Sequence, residues 1–228
     1  MKELTLLLEH GTHRTMRPVP VCEVIVAGWT GRDQAQVDAH IEELAALGVP
    51  RPTTVPTFYR VSADLLTIAE EIQVVGAEST GEVEAVLVSH DGRIWVGVGS
   101  DHTDRALEAV SVAAAKQACP KPLGRQVWAY DEIKDHWDRL ILRSYVVSGS
   151  GRELYQQGVL AANRAADDLQ RRYSGAARLP DKAVMFCGTM PVHGGFRCGE
   201  RFEIELEDPV LGRSLQHGYR VTTLPSAA

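Results

Sequence analysis

A β-rich α+β fold is predicted by three features of the sequence. Short β-branched and apolar runs recur along the chain, bounded by Gly, Asp or Pro turn signals. Helical periodicity is clear only over 33–47 and 159–173, with an Ala-rich third stretch at 106–119. No internal repeat or low-complexity tract interrupts the pattern. The 228 residues suit a single domain, 1–228, with an N-terminal strand extension over 1–20.

Residues 3–9 are expected as a first strand and 21–27 as a second, where Val24, Ile25 and Val26 favour the extended chain. Gly28 and Gly31 break the run. Over 33–47, Val37, Ile41 and Leu44 repeat at i, i+4 and i+7, Asp33 is the candidate N-cap, and Gly48 with Pro50 marks the stop. Pro50, Pro52 and Pro56 stiffen the loop into a strand at 57–61. Strands are expected at 72–75, 82–89 and 94–99, and the Asp91-Gly92 turn signal joins the last two as a hairpin. A second hairpin, 138–147 with 152–157, closes through Ser148-Gly149-Ser150-Gly151. Late strands at 183–189, 201–206 and 214–222 are separated by turns at Gly194-Gly195 and Gly212. The pattern does not fix the order in which strands pair.

The formal net charge of −6 and the scattered basic residues argue against nucleic acid, whose phosphates need a clustered basic surface. No apolar run approaches membrane-spanning length, and residues 1–5 carry no secretory signal pattern. Cys22, Cys119, Cys187 and Cys198 form no C-x-x-C pair, so reduced thiols in a cytoplasmic protein are expected.

The chemistry-bearing residues each read two ways. Glu82 and Glu84 lie two apart on a strand and share a face. They are either a solvated strand face or ligands of a hard cation, which prefers carboxylate oxygens. Asp101 follows the hairpin's partner strand. It is either a third ligand or, like Thr103, a helix N-cap. His40 and Glu43 are i, i+3 neighbours on the first helix, either a base with its orienting carboxylate or a surface salt pair. Lys116 and Lys121 flank Cys119-Pro120, as oxyanion stabilisers or solvated ammoniums. Gly188-Thr189 follows a strand and offers a backbone amide and a hydroxyl to a carboxylate, or is an ordinary strand exit. His10 and His13 read as loop histidines.

Taken in order, helix His-x-x-Glu, Glu-x-Glu, Asp-x-Thr-x-Arg, Lys and Gly-Thr-x-Pro, the chain resembles the fumarylacetoacetate hydrolase superfamily from about Val21 to Val221. It looks like a divergent bacterial branch. Cys187 replaces the first Thr of Thr-Gly-Thr-Pro, and Met190 is inserted before Pro191. The Glu84–Asp101 spacing is short, and His102 and Asp104 replace less polar residues.

The resemblance implies a mixed β-sandwich or β-roll of the superfamily's C-terminal type with peripheral helices, in a homodimer. It implies Mg²⁺ or Mn²⁺ on Glu82, Glu84 and Asp101, and water activation by His40 with Glu43. An oxyanion would be held by Lys116, with Lys121 as rival, and substrate by Arg60, Arg105 and Thr189. The implied reaction is hydrolysis of a carbon–carbon bond in a small keto acid or acylpyruvate. Decarboxylase, hydratase or tautomerase chemistry through a metal-bound enolate is the alternative. A non-catalytic keto-acid-binding module is a third reading.

Overall fold

A computed structural model describes residues 1–46, 51–149 and 151–225, with the side chains of His40 and Leu44 left outside the description. In chain order its longer strands are β1 (Lys2–His10), β2 (His13–Val21), β3 (Glu23–Gly28), β4 (Thr57–Val61), β5 (Glu71–Val75), β6 (Val83–His90) and β7 (Arg93–Ser100). They continue as β8 (Gln126–Ala129), β9 (Ile141–Ser148), β10 (Gly151–Val159), β11 (Ala183–Phe186), β12 (Arg201–Asp208) and β13 (Arg213–Leu224). The helices are α1 (Gln34–Ala46), α2 (Arg105–Glu108), α3 (Val112–Ala118) and α4 (Ala166–Ser174). None of the described helices is long and apolar enough to cross a membrane.

An eight-stranded sheet runs in the order β2-β1-β8-β7-β6-β11-β3-β4, and a five-stranded sheet in the order β10-β9-β12-β13-β5. Both mix parallel and antiparallel pairs. Ala85, Leu87, Val96, Val98 and Trp128 of the large sheet pack against Leu142, Ile204, Leu206 and Leu215 of the small one, the interior of a sandwich. On the large sheet's other face, Leu4, Leu6 and Leu8 of β1 share a cluster with Val24 and Val26 of β3. The cluster runs across that face through Val127, Trp95, Val86 and Phe186 on the strands between them. The fold is the β-rich α+β fold that the sequence predicts, with the sandwich and peripheral helices that the resemblance implies.

The differences have local causes. β2 is absent from the sequence reading because Arg14, Arg17, Pro18 and Pro20 break its alternation. It is an edge strand, where the missing proline N–H costs no ladder bond and the charges blunt edge-to-edge pairing. The helix expected over 106–119 is two, because Ser111 restarts the chain by accepting a hydrogen bond from the Ala114 N–H. The helix expected from 159 begins only at Ala166, since β10 runs to Val159 and a 3-10 turn follows. Asp33 does cap α1, accepting from the amides of Ala35 and Gln36. Gly48 and Pro50, its expected stop, lie outside the described residues.

Candidate metal centre

The tight turn at Asp91 (φ 50) and Gly92 (φ 68) sets the register of the β6–β7 hairpin. Pairing runs unbroken from His90 opposite Arg93 to Val83 opposite Ser100, with Glu84 opposite Gly99. One step further sets Asp101 opposite Glu82, where the Asp101 amide donates to the Glu82 carbonyl at 2.9 Å. Opposed residues share a face, so Glu82, Glu84 and Asp101 converge. Their ligand oxygens lie within 4.8 Å of one another. Asp101 is not a helix cap; Asp104 takes that role, accepting from the Leu107 amide at 2.9 Å.

Three cations close on these carboxylates. The capped helices α2 and α3 follow Asp101, and α3 packs against β4 and brings Lys116 to the carboxylates. Its Nζ bonds Asp101 Oδ2 and reaches Glu82 Oε2 at 3.3 Å. Lys121 Nζ, fully buried, faces Asp101 Oδ1 at 3.1 Å and donates to the carbonyls of His102 and Cys119. Arg105 lies 3.0 Å from Glu82 Oε1, donates to Thr80 and Glu108, and stacks under the Phe196 ring. Both rival lysines are therefore at the site, with different duties. Lys121 is enclosed by backbone carbonyls, whereas Lys116 bridges two carboxylates beneath Tyr59.

Glu84 is treated differently. Among its described contacts it accepts the Gly188 N–H at 2.6 Å, a bond that depends on local backbone. Gly188 leaves β11 at φ 102, and a Cβ there would stand 1.8 Å from Thr30 Oγ1, so only glycine aims that amide at Glu84.

The electrostatics follow. Burial would raise the Glu82 carboxyl, but Lys116 and Arg105 bring it down to about 2. Burial first, then the charges of Asp101 and Glu82, push Glu84 well above the usual carboxylate range. Burial opposes the charge on Lys116, yet Asp101 and Glu82 outweigh it and hold the ammonium protonated. Lys121 is lowered, by burial first and by the charge of Lys116.

A divalent cation fits this donor set. Three hard oxygen donors converge at the scale of one coordination sphere. Asp101 Oδ1 is buried facing the Lys121 ammonium without forming a hydrogen bond, and Glu84 is the carboxylate that the protein's own cations leave under-compensated. The ligands would be Glu82, Glu84 and Asp101.

The other expected residues are placed unevenly. Thr189 sits beside the centre, but its hydroxyl donates to the Val83 carbonyl and accepts from Gln156. Arg60 lies elsewhere, on the opposite face of β4 from Tyr59, tied to Glu23 and Tyr173. Glu43 is on the exposed side of α1, and the side chain of His40 lies outside the described residues. Sequence reasoning missed Gln156, which ties Val83 to Thr189, and Asn163, whose amide holds the carbonyls of Gly188 and Thr189. No local signal marks either; they reach the site across about 25–75 residues of chain.

Three solved structures share the fold at low identity. The crystal structure of Cg1458 with inhibitor aligns with a TM-score of 0.64 at 16% identity, covering 92% of this chain and 81% of that one. The 2-keto-3-deoxy-D-arabinonate dehydratase complexed with magnesium and 2,5-dioxopentanoate aligns at 0.62 and 18%, covering 95% and 79%. The 4-oxalocrotonate decarboxylase from Pseudomonas putida G7, complexed with calcium and acetate, aligns at 0.53 and 14%, covering 87% and 76%. No curated protein sequence matches. A family profile matches residues 27–219, most of the chain. The chain thus has the fold expected from its resemblance, and it belongs to the family described as protein of unknown function, DUF2848.

Proposed function

We propose that this chain is a divalent-metal-dependent enzyme of the fumarylacetoacetate hydrolase superfamily that acts on a small keto acid through its enolate. The observation that carries the reading is Glu84, a buried carboxylate set against two others with no ammonium or guanidinium bonded to it among its described contacts. Such a group gains from a cation that joins it, because added positive charge offsets both its burial and its neighbouring carboxylates.

Charge then selects the substrate. The three carboxylates already face three protein cations, so a bound dication leaves the centre net positive, even with Glu108 counted on Arg105. That charge favours an anion. Two neighbours of the same fold are complexed with magnesium or calcium, one of them with 2,5-dioxopentanoate, which supports the reading.

A cation held there supplies Lewis acidity toward the keto-acid oxygens. The chain's own groups do the rest. Lys116, held protonated, has three N–H donors and uses two on carboxylates, leaving one for a developing oxyanion. Arg105, locked onto Glu82 and Glu108, orients a ligand rather than meeting substrate directly. Hydrolysis of a carbon–carbon bond further needs His40, oriented by Glu43, to take a proton from water. Without that base, the same enolate leads to decarboxylation, hydration or dehydration, or tautomerisation. On this reading the ion is Mg²⁺ or Mn²⁺, the assembly a homodimer and the compartment the cytoplasm.

The test is product identity on a panel of acylpyruvates and 2-keto acids with Mg²⁺ or Mn²⁺. Two carbon fragments mark a hydrolase, CO₂ a decarboxylase, a change by one water a hydratase or dehydratase, and unchanged mass a tautomerase. His40→Ala should abolish hydrolysis and spare metal binding. Tight keto-acid binding without turnover would support the binding module, and neither binding nor turnover would contradict the proposal.

A further inference from the structure

The segments that carry Glu82 and Asp101 are gripped from the small sheet by one hydroxyl. Tyr219 on β13 is fully buried, stacked on Phe202 with ring centroids 5.7 Å apart. Its hydroxyl lies 2.8 Å from Ser100 Oγ and 3.1 Å from His102 Nδ1, the residues on either side of Asp101. Ser100 Oγ in turn accepts the Glu82 N–H at 3.1 Å, and His102 Nε2 meets Ser79 Oγ at 2.9 Å. A Cβ on Gly81, just before Glu82, would stand 2.6 Å from the same hydroxyl, so Gly81 is what lets the ring approach. Tyr219 therefore touches or is one bond removed from residues 81, 82, 100 and 102. It touches neither Glu82 nor Asp101 through their carboxylates.

The proton count closes. A phenol has one hydrogen and accepts as well. It donates to either Ser100 or His102 and accepts from the other, while a neutral imidazole gives its remaining nitrogen to Ser79. In the direction Ser100 O–H to Tyr219, Tyr219 O–H to His102 Nδ1 and His102 Nε2–H to Ser79, each of these donors meets an acceptor, the condition for a buried polar network to rigidify rather than destabilise.

We infer that Tyr219 is a positioning residue for the metal centre, holding the Glu82 and Asp101 backbones at ligand spacing through Ser100 and His102. This rests on the metal reading above. Outer contacts that orient ligands commonly set metal affinity, by about 10–100-fold when removed.

The experiment titrates Mn²⁺ into the full chain and its variants by calorimetry, with electron paramagnetic resonance of the bound ion and thermal unfolding in parallel. Tyr219→Phe keeps the ring and loses the hydroxyl. It is expected to weaken Mn²⁺ binding by about tenfold or more and broaden the Mn²⁺ spectrum. Tyr155→Phe is the control, because Tyr155 is equally buried in the same aromatic cluster and its hydroxyl meets Arg197 instead. It is expected to lose some stability and keep wild-type affinity. Ser79→Ala frees the far end of His102 and should weaken binding in the same direction but by less than Tyr219→Phe, which keeps the inference testable if Tyr219→Phe does not fold. Unchanged affinity in the Tyr219 or Ser79 variant, or equal losses in Tyr219→Phe and Tyr155→Phe, overturns the inference while leaving the metal site standing. A wild-type chain that binds no Mn²⁺ overturns the metal reading and the inference with it.

Discussion

Glu84→Gln is expected to stabilise the metal-free chain and to deprive it of the stabilisation a metal gives. Glutamine keeps the shape and an oxygen for the Gly188 N–H, and removes the charge. At an effective dielectric of about 20, two unit charges at the 4.8 Å limit of this cluster repel by about 3.5 kcal/mol. Glu84 meets two such charges and Lys116 offsets them only in part, so its ionisation costs a net of a few kcal/mol at that dielectric. For a chain of this length each kcal/mol moves Tm by about 2–4 °C.

The pH sign is fixed by the direction of the shift. The folded carboxyl titrates well above its ordinary 4.5, so the native state holds the proton longer than the unfolded chain. Stability of the wild type therefore falls as pH rises from 4.5 through the folded value. The advantage of Gln should be absent below pH 4.5 and grow above it. Thermal unfolding from pH 4 to 8 in EDTA reads this directly. With free Mg²⁺ at about 100 times its Kd, the wild type should gain about 2.7 kcal/mol and the variant far less. A variant less stable than wild type at pH 8 in EDTA, or one that gains equally from Mg²⁺, would refute the reasoning.

Gly188→Ala forces a side chain into φ 102 and against Thr30; it should cost about 2–3 kcal/mol in denaturant unfolding and weaken metal binding, and wild-type stability would show that the backbone there relaxes freely. Lys116→Met removes an ammonium that competes with a metal for Asp101 and Glu82. Metal affinity should hold or tighten while kcat on any substrate found falls about 10²–10³-fold, and an unchanged kcat would remove Lys116 from the chemistry.

The site was legible where local rules govern it. Asp91-Gly92 sets a two-residue turn, and counting back along the hairpin brings Asp101 opposite Glu82 without any structure. Alternation then puts Glu84 on the same face. The lysines were legible as types but not as duties, because which of Lys116 and Lys121 bridges the carboxylates depends on where α3 packs, against β4. Tyr219, Gln156 and Asn163 were not legible at all. Each reaches the centre through contacts between segments distant in sequence, and a buried tyrosine on a strand carries no mark of what its hydroxyl meets. Arg60 is tied to Glu23 and Tyr173 for a local reason. Strand alternation sends it to the face opposite Tyr59, and Tyr59 is the neighbour of Lys116. At fold level, β2 escaped because its prolines and charges suit an edge.

The most direct test of the central claim is calorimetric titration of Mg²⁺ and Mn²⁺ into metal-free wild type and Asp101→Ala. Asp101 is fully buried between two lysines and opposite Glu82, so its loss removes a ligand and leaves the two glutamates unable to complete the set. The wild type should bind one ion per chain and Asp101→Ala none in the same concentration range. A wild type that binds no divalent ion, or an Asp101→Ala variant with unchanged affinity, would contradict the carboxylate metal centre.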